Sequence, residues 1–154
     1  MRTAASSEPG NGDPEPVIYE YAVVRVVPRV ERGERVNVGI VLFCRGRRYL
    51  GVALGLDPHH LALLLALDPD IDLDRLQDRL AAMRAVGDGG PGAGRLRDLT
   101  VAERFRWLVA PSSTVIQPSA VHAGKTVDPA ATLVALYGHL AGPPPGVPAD
   151  IASS

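Results

Sequence analysis

The chain has 154 residues, 46% of them hydrophobic, and a net charge of −1 at pH 7, enough for one domain with a real core and too short for two comfortable ones. A single cysteine excludes an internal disulfide framework, and the near-neutral charge gives no reason to expect non-specific nucleic-acid binding. The longest apolar run, near Leu61–Leu67, is far below the roughly 20 residues of a membrane span.

The first sixteen residues, MRTAASSEPGNGDPEP, are polar and rich in Gly, Pro and Ser. They have no apolar stretch of the kind a secretory signal needs, and disorder is expected over residues 1–16. With one cysteine and no export signal, the reducing cytoplasm is the expected compartment. VIYEYAVVRVV reads as a strand apolar on both faces, RVNVGIVLFC as a second, and RYLGVAL as a third joined to it by a turn around Gly46. Asp57-Pro58 opens a short helix that ends before Pro69. Asp70 or Asp72 caps the next, where Leu73, Leu76, Leu80 and Met83 step by three and four along one face. GDGGPGAG breaks it. Thr100 and Glu103 fit a capping box that opens a helix through Phe105 and Leu108, stopped by Pro111. STVIQ is expected as a fourth strand. Asp128-Pro129 starts the last helix, with Leu133, Leu136, Tyr137 and Leu140 inward and Gly142 as stop. The residues from Gly142 on read as a Pro/Gly-rich tail. The expected class is α+β, over a single domain at 17–141: an antiparallel sheet of about four strands, hairpin or meander first, with three to four helices on one face.

Charge is distributed unevenly. Seven arginines stand between Arg25 and Arg48 against Glu31 and Glu34, and six aspartates between Asp57 and Asp78 against Arg75 alone. Such a dipole either steers a charged partner or pairs with itself. Fifteen of the sixteen basic residues are arginine, a bias that matches a GC-rich bacterial genome.

The loop between the first two strands, Pro28 to Arg35, is longer than the 2–5 residues usual in hairpins, and long loops are often functional. Past it, Asn37 and Gly39 are expected on one strand face, with Gly39 leaving a gap beside Asn37. Arg25 falls on the face of Tyr21 and Val23, where a charge needs a partner. Arg25, Arg29, Glu34, Arg35, Asn37 and Gly39 form a candidate binding patch for an anion or a partner. The plainer reading pairs the glutamates with neighbouring arginines and spends Asn37 on the turn. A second candidate segment holds Ser113, Thr114, Gln117 and His122. A hydroxyl activated by His122 is the minimum for nucleophilic catalysis, but no spacing singles one out, and serines beside prolines usually serve turns.

SAVHAGKT lacks the first glycine of a phosphate-binding loop, and its helix starts too late. His59 and His60 are adjacent and point apart, while His122 and His139 are distant in sequence, so no metal site is expected, and no cofactor. Cys44 is expected as a small buried hydrophobe. Trp107 is expected in the core, with Arg104 and Arg106 on the surface.

The segments EYAVVRVVPRVERGERVNVGIVLFC and ERFRWLVAPSSTVIQPSAVHAG…DP resemble the bacterial family known as domain of unknown function 3037. The likeness runs over about Tyr19 to Leu140 and departs at the N-terminal extension and Lys125. It implies small bacterial proteins often encoded beside kinase-like proteins of the HipA type. The matching positions are Arg25, Pro28, Arg29, Glu34, Asn37, Val38 and Gly39, then Phe105, Trp107, Pro111, Ser113, Thr114, Gln117, Pro118 and His122. The expected function is a protein-binding accessory module, with a HipA-type protein as partner. The alternative is a small enzyme or ligand-binding domain that holds an anionic substrate with an arginine clamp and His122. Neither a nucleic-acid nor a membrane partner is expected. The two polar segments are expected to converge at one end of the sheet.

Overall fold

The computed structural model describes residues 14–143, so most of the expected disordered extension and tail lies outside the described residues. Alternating, β-branched sequence forms β1 (Val17–Val26), β2 (Val36–Cys44) and β3 (Tyr49–Leu54), an antiparallel meander. The turn around Gly46 is a short 3-10 segment, Arg45–Arg47, closed by Arg48 in the left-handed region at φ 50°. Helices α1 (Pro58–Leu67), α2 (Leu73–Asp88) and α3 (Val101–Leu108) follow, then β4 (Ile116–Pro118), β5 (His122–Thr126) and α4 (Pro129–Leu140).

The local stop and start signals act as expected. Asp57, Asp72 and Asp128 each accept a backbone N–H at a helix N-terminus, and Thr100 and Glu103 form a reciprocal capping box. Gly89, at φ 70°, ends α2 in the conformation that glycine adopts without strain. A 3-10 segment that the sequence reading does not contain, Pro91–Asp98, leads into α3.

The sheet runs β3-β2-β1, and β1's outer neighbour is split. β4 pairs with Val24–Val26 and β5 with Val17–Tyr21, both antiparallel. The fourth strand of the sequence reading is thus two short ones. Ser119 bridges the break: its amide donates to the Val23 carbonyl, and its Oγ accepts the Val23 amide, each at 2.8 Å. The hydroxyl stands in for the strand carbonyl that the break removes.

The helices divide between both sheet faces and are not gathered on one. The first core packs Val24, Val26, Val36, Val38, Val41 and Phe43 against α1, α2 and α3 through Leu64, Leu76, Leu80, Met83, Phe105 and Leu108. The second packs Ile40, Leu42 and Cys44 under Leu133, Leu136, Tyr137 and Leu140 of α4. A strand that supplies apolar residues to both faces needs cover on both, and only the last helix is left to cover the second. Cys44 is a buried free thiol. No helix among the described residues is long and apolar enough to cross a membrane.

A β-bulge sits at the heart of this arrangement. Val24 pairs with Gly39 but Arg25 pairs with Asn37, so β2 carries one extra residue, Val38. The extra residue shifts the alternation. Val36 and Val38 face the first core before the bulge, and Val41 and Phe43 face it after. Asn37 therefore points to the α4 side, whereas the Gly39 α-carbon faces Leu54, a residue of the first core. The expected shared face of Asn37 and Gly39 does not exist. The expected gap is filled too, since a Cβ on Gly39 would collide with the Leu54 side chain and the Ala53 carbonyl.

Candidate functional site

Most charges of the Pro28–Arg35 loop are used within the molecule. Arg29 donates to Asp68 Oδ1 at 3.1 Å and to the Leu67 carbonyl at 3.4 Å, tying the loop to the end of α1. Arg32 grips Glu34 with two bonds, at 2.6 and 3.1 Å. That contact holds the Glu34 carboxyl below its ordinary range and raises the Arg32 guanidinium above its own. The plainer reading thus describes Arg29, Arg32 and Glu34. It misses Asn37, whose side-chain amide donates to the Leu140 carbonyl at the end of α4, 3.0 Å away.

Arg25 is half-buried on the face of Tyr21 and Val23, as alternation requires. Its partners are carbonyls and not an acid: Gln117 at 3.1 Å and Pro118 at 3.2 Å. The two polar segments both border β1 but do not gather at one end of the sheet. Asn37 and Gln117 both pair with Arg25, from opposite sides, and His122 pairs with Tyr21. His122 lies about 13 Å along the strand from Arg25, so it shares their face without touching them.

The hydroxyls near β4 hold the chain in place. Ser112 and Thr114 bond each other at 2.8 Å, Thr114 also reaches the Ile116 carbonyl, and Gln117 donates to the Thr114 carbonyl. Ser113 is exposed on the same loop. His122 is exposed and packs against the Tyr21 ring, centroids 5.4 Å apart. No hydroxyl bonds it among the described residues, so the nucleophile–base contact that the catalytic reading requires is not formed.

One open concave region was missed by sequence reasoning. A groove of about 790 Å³ opens between the start of β2, α1 and the end of α4, lined by Arg35, Asn37, His59, Leu63, His139 and Leu140, among others. Its volume falls within the range of ligand and peptide clefts. Glu34 and Asn37 of the candidate patch are on its wall, but Arg25, Arg29 and Gly39 are not. The two imidazoles come from residues 80 apart in sequence, and no spacing rule would join them. No cluster of three metal-ligating side chains forms among the described residues.

His60, outside the lining of this groove, is buried where α1 meets the residue that follows α4. It is 1% exposed. Its Nδ1 accepts the Asp57 amide at 3.2 Å, and its Nε2 donates to the Ala141 carbonyl, which specifies the tautomer. This imidazole pins the start of α1 to the end of α4. Helix α1 is otherwise thinly buried. Only His60 and Leu64 are fully covered, and Leu63 and Leu65 are 42% and 41% exposed.

Two smaller clefts, about 380 and 400 Å³, run along α2 on either side of Thr114 and Arg79. Trp107 borders one of them and is 49% exposed, contrary to its expected place in the core. A helix of eight residues buries one stripe, and Phe105 and Leu108 occupy it. Arg104, expected at the surface, is half-buried and donates to the Val86 and Gly87 carbonyls at the end of α2.

No curated protein and no solved structure matches the chain. The family model described as "Protein of unknown function (DUF3037)" matches residues 21–141. That span runs from β1 to the end of α4 and includes both polar segments and the groove between α1 and α4, and the chain belongs to this family.

Proposed function

We propose that this protein is a protein-binding accessory module, and that the α1–α4 groove receives an apolar, acidic segment of its partner. The observation that carries this reading is α1 itself: a leucine-rich helix with Leu63 and Leu65 more than two-fifths exposed beside an open groove. Exposed apolar surface of this kind, rimmed by polar groups, marks contact sites. The rim favours carboxylates. Glu34 is already held by Arg32, whereas Arg35, His59 and His139 stand in no ion pair among the described residues. A partner helix with apolar residues on one stripe and acids along its edge fits that chemistry.

The folded unit that carries the function is the domain at 17–141, working in a bacterial cytoplasm where the Cys44 thiol stays reduced. A HipA-type kinase-like protein, the neighbour implied by the family resemblance, is the first partner to test. Native mass spectrometry of the tagged chain, gently purified from its host, should reveal a stoichiometric protein partner. Leu63→Asp should abolish that complex and leave the thermal midpoint nearly unchanged, because the side chain is half in water already. Arg35→Glu should weaken it at low salt. A complex that survives both changes would remove the groove from the interface.

A further inference from the structure

Helix α4 lies over β2 and β3 and leaves Tyr19, Tyr21, Val23 and Arg25 of β1 only half-buried at the margin of its core, with His122 of β5 exposed beside them. On that strip Tyr19 and Tyr21 stack side by side at 6.0 Å, and His122 extends the row at 5.4 Å from Tyr21. Tyr19 lies over Gly124, where any Cβ would meet its ring. Further along β1 stands Arg25, and Arg35 is close enough to depress the Arg25 pKa, after the larger effect of burial.

Two guanidinium groups near one another repel unless an anion lies between or beside them. Among the described residues neither Arg25 nor Arg35 is in an ion pair. The carbonyls of Gln117 and Pro118 take only part of the Arg25 donor set. The positions of β1, β4 and β5 that point this way carry no carboxylate. Glu20 points to the opposite face, with Val24 and Val26, and Asp128, just beyond β5, caps α4. The face is therefore locally cationic and aromatic in a chain whose net charge is −1.

We infer that this partly exposed strip binds single-stranded nucleic acid, with bases stacked on Tyr21, His122 and Tyr19 and a backbone phosphate held by Arg25 and Arg35. Aromatic rings on an antiparallel sheet accept bases of any identity, and arginines track the backbone. The length of the strip argues for a strand rather than a free nucleotide. The α-carbons of Arg25 and Tyr19, at the two ends of the strip, are about 20 Å apart along β1, a span that takes more than one nucleotide to fill. The expectation against nucleic acid rested on net charge, and the pairing of β1 with β5 gathers aromatic rings along a strand that also carries Arg25, which net charge does not reveal.

The test is fluorescence polarisation of the full chain with a labelled oligouridylate and its deoxy counterpart, at low and high salt. Saturable binding that weakens with salt is expected. The Tyr19→Leu/Tyr21→Leu pair, which keeps apolar bulk, should weaken it at least about tenfold, and so should His122→Ala, a change at an exposed residue outside both buried cores. Arg45→Gln, on the β2–β3 turn, and Leu63→Asp, in the groove, should leave it unchanged, which distinguishes this site from the apolar part of the proposed protein interface, with Arg35 common to both. No saturable binding by the native chain at low salt overturns the inference. So does binding that neither aromatic variant weakens, or free uridine monophosphate bound as tightly as the strand. Displacement of the oligonucleotide by an equimolar acidic peptide would reassign the strip to a protein.

Discussion

The two faces of the sheet are built from the same strands and end in opposite conditions. On one, β1 and β2 present valines and Phe43 to three helices, and the seam is closed. On the other, only α4 arrives, and it covers β2 and β3 while β1 keeps Tyr19, Tyr21, Val23 and Arg25 half-buried along its edge. The closed face supplies stability through area removed from water. The half-open face holds the aromatic row and the arginines without acid partners, and the groove lies where its helix α4 ends beside α1. Contact with other molecules belongs where the fold has left surface unspent.

This contrast sets the order of expected effects. Leu80→Ala, in the closed core at 3% exposure, should cost about 2–5 kcal/mol in chemical denaturation, the largest loss of any change considered. A loss under about 1 kcal/mol would mean that the core can collapse around the cavity. Gly39→Ala, at the bulge that separates the two faces, forces a Cβ onto Leu54 and the Ala53 carbonyl and should cost about 1–3 kcal/mol. A neutral result would show that β3 moves freely.

On the half-open face the numbers shrink. Asn37→Ala removes one bond, to a carbonyl at a helix end that water can reach, so about 1 kcal/mol or less is expected. The smallest effect is expected in the loop. Glu34→Gln should leave the thermal midpoint nearly unchanged at neutral pH, because its pair with Arg32 is exposed. The sign of its pH dependence is still fixed. Arg32 lowers the folded-state pKa of Glu34, so any stabilisation is complete above the ordinary value of 4.5 and is lost as pH falls through the depressed one. A titration of Glu34 by NMR that showed a raised value would break the account of the loop.

Helix boundaries were legible because their signals are short-range. Asp57-Pro58, Thr100 with Glu103, and Asp128-Pro129 each place a cap within three residues of the amide that it satisfies. Alternation in β1 was also enough to put Arg25 on the side of Tyr21 and Val23. The same rule failed for Asn37 and Gly39, since a bulge is a property of a pair of strands, and nothing within β2 alone announces the extra residue. Trp107 was misplaced for a related reason: a short amphipathic helix shows which residues can be buried, not which ones find cover.

The sequence by itself determined the α+β class, the meander, the helix starts, the thiol without a disulfide partner and the family. All of these rest on local geometry, composition or motif. Only the tertiary structure decided that α4 crosses to the second face, that Arg25 bonds carbonyls of β4, that His60 pins α1 to α4, and that His59 and His139 share a groove. Each of those depends on contacts between residues roughly 80 or more apart in the chain. Such contacts are chosen by the burial of whole faces, and that choice is made by all the elements together.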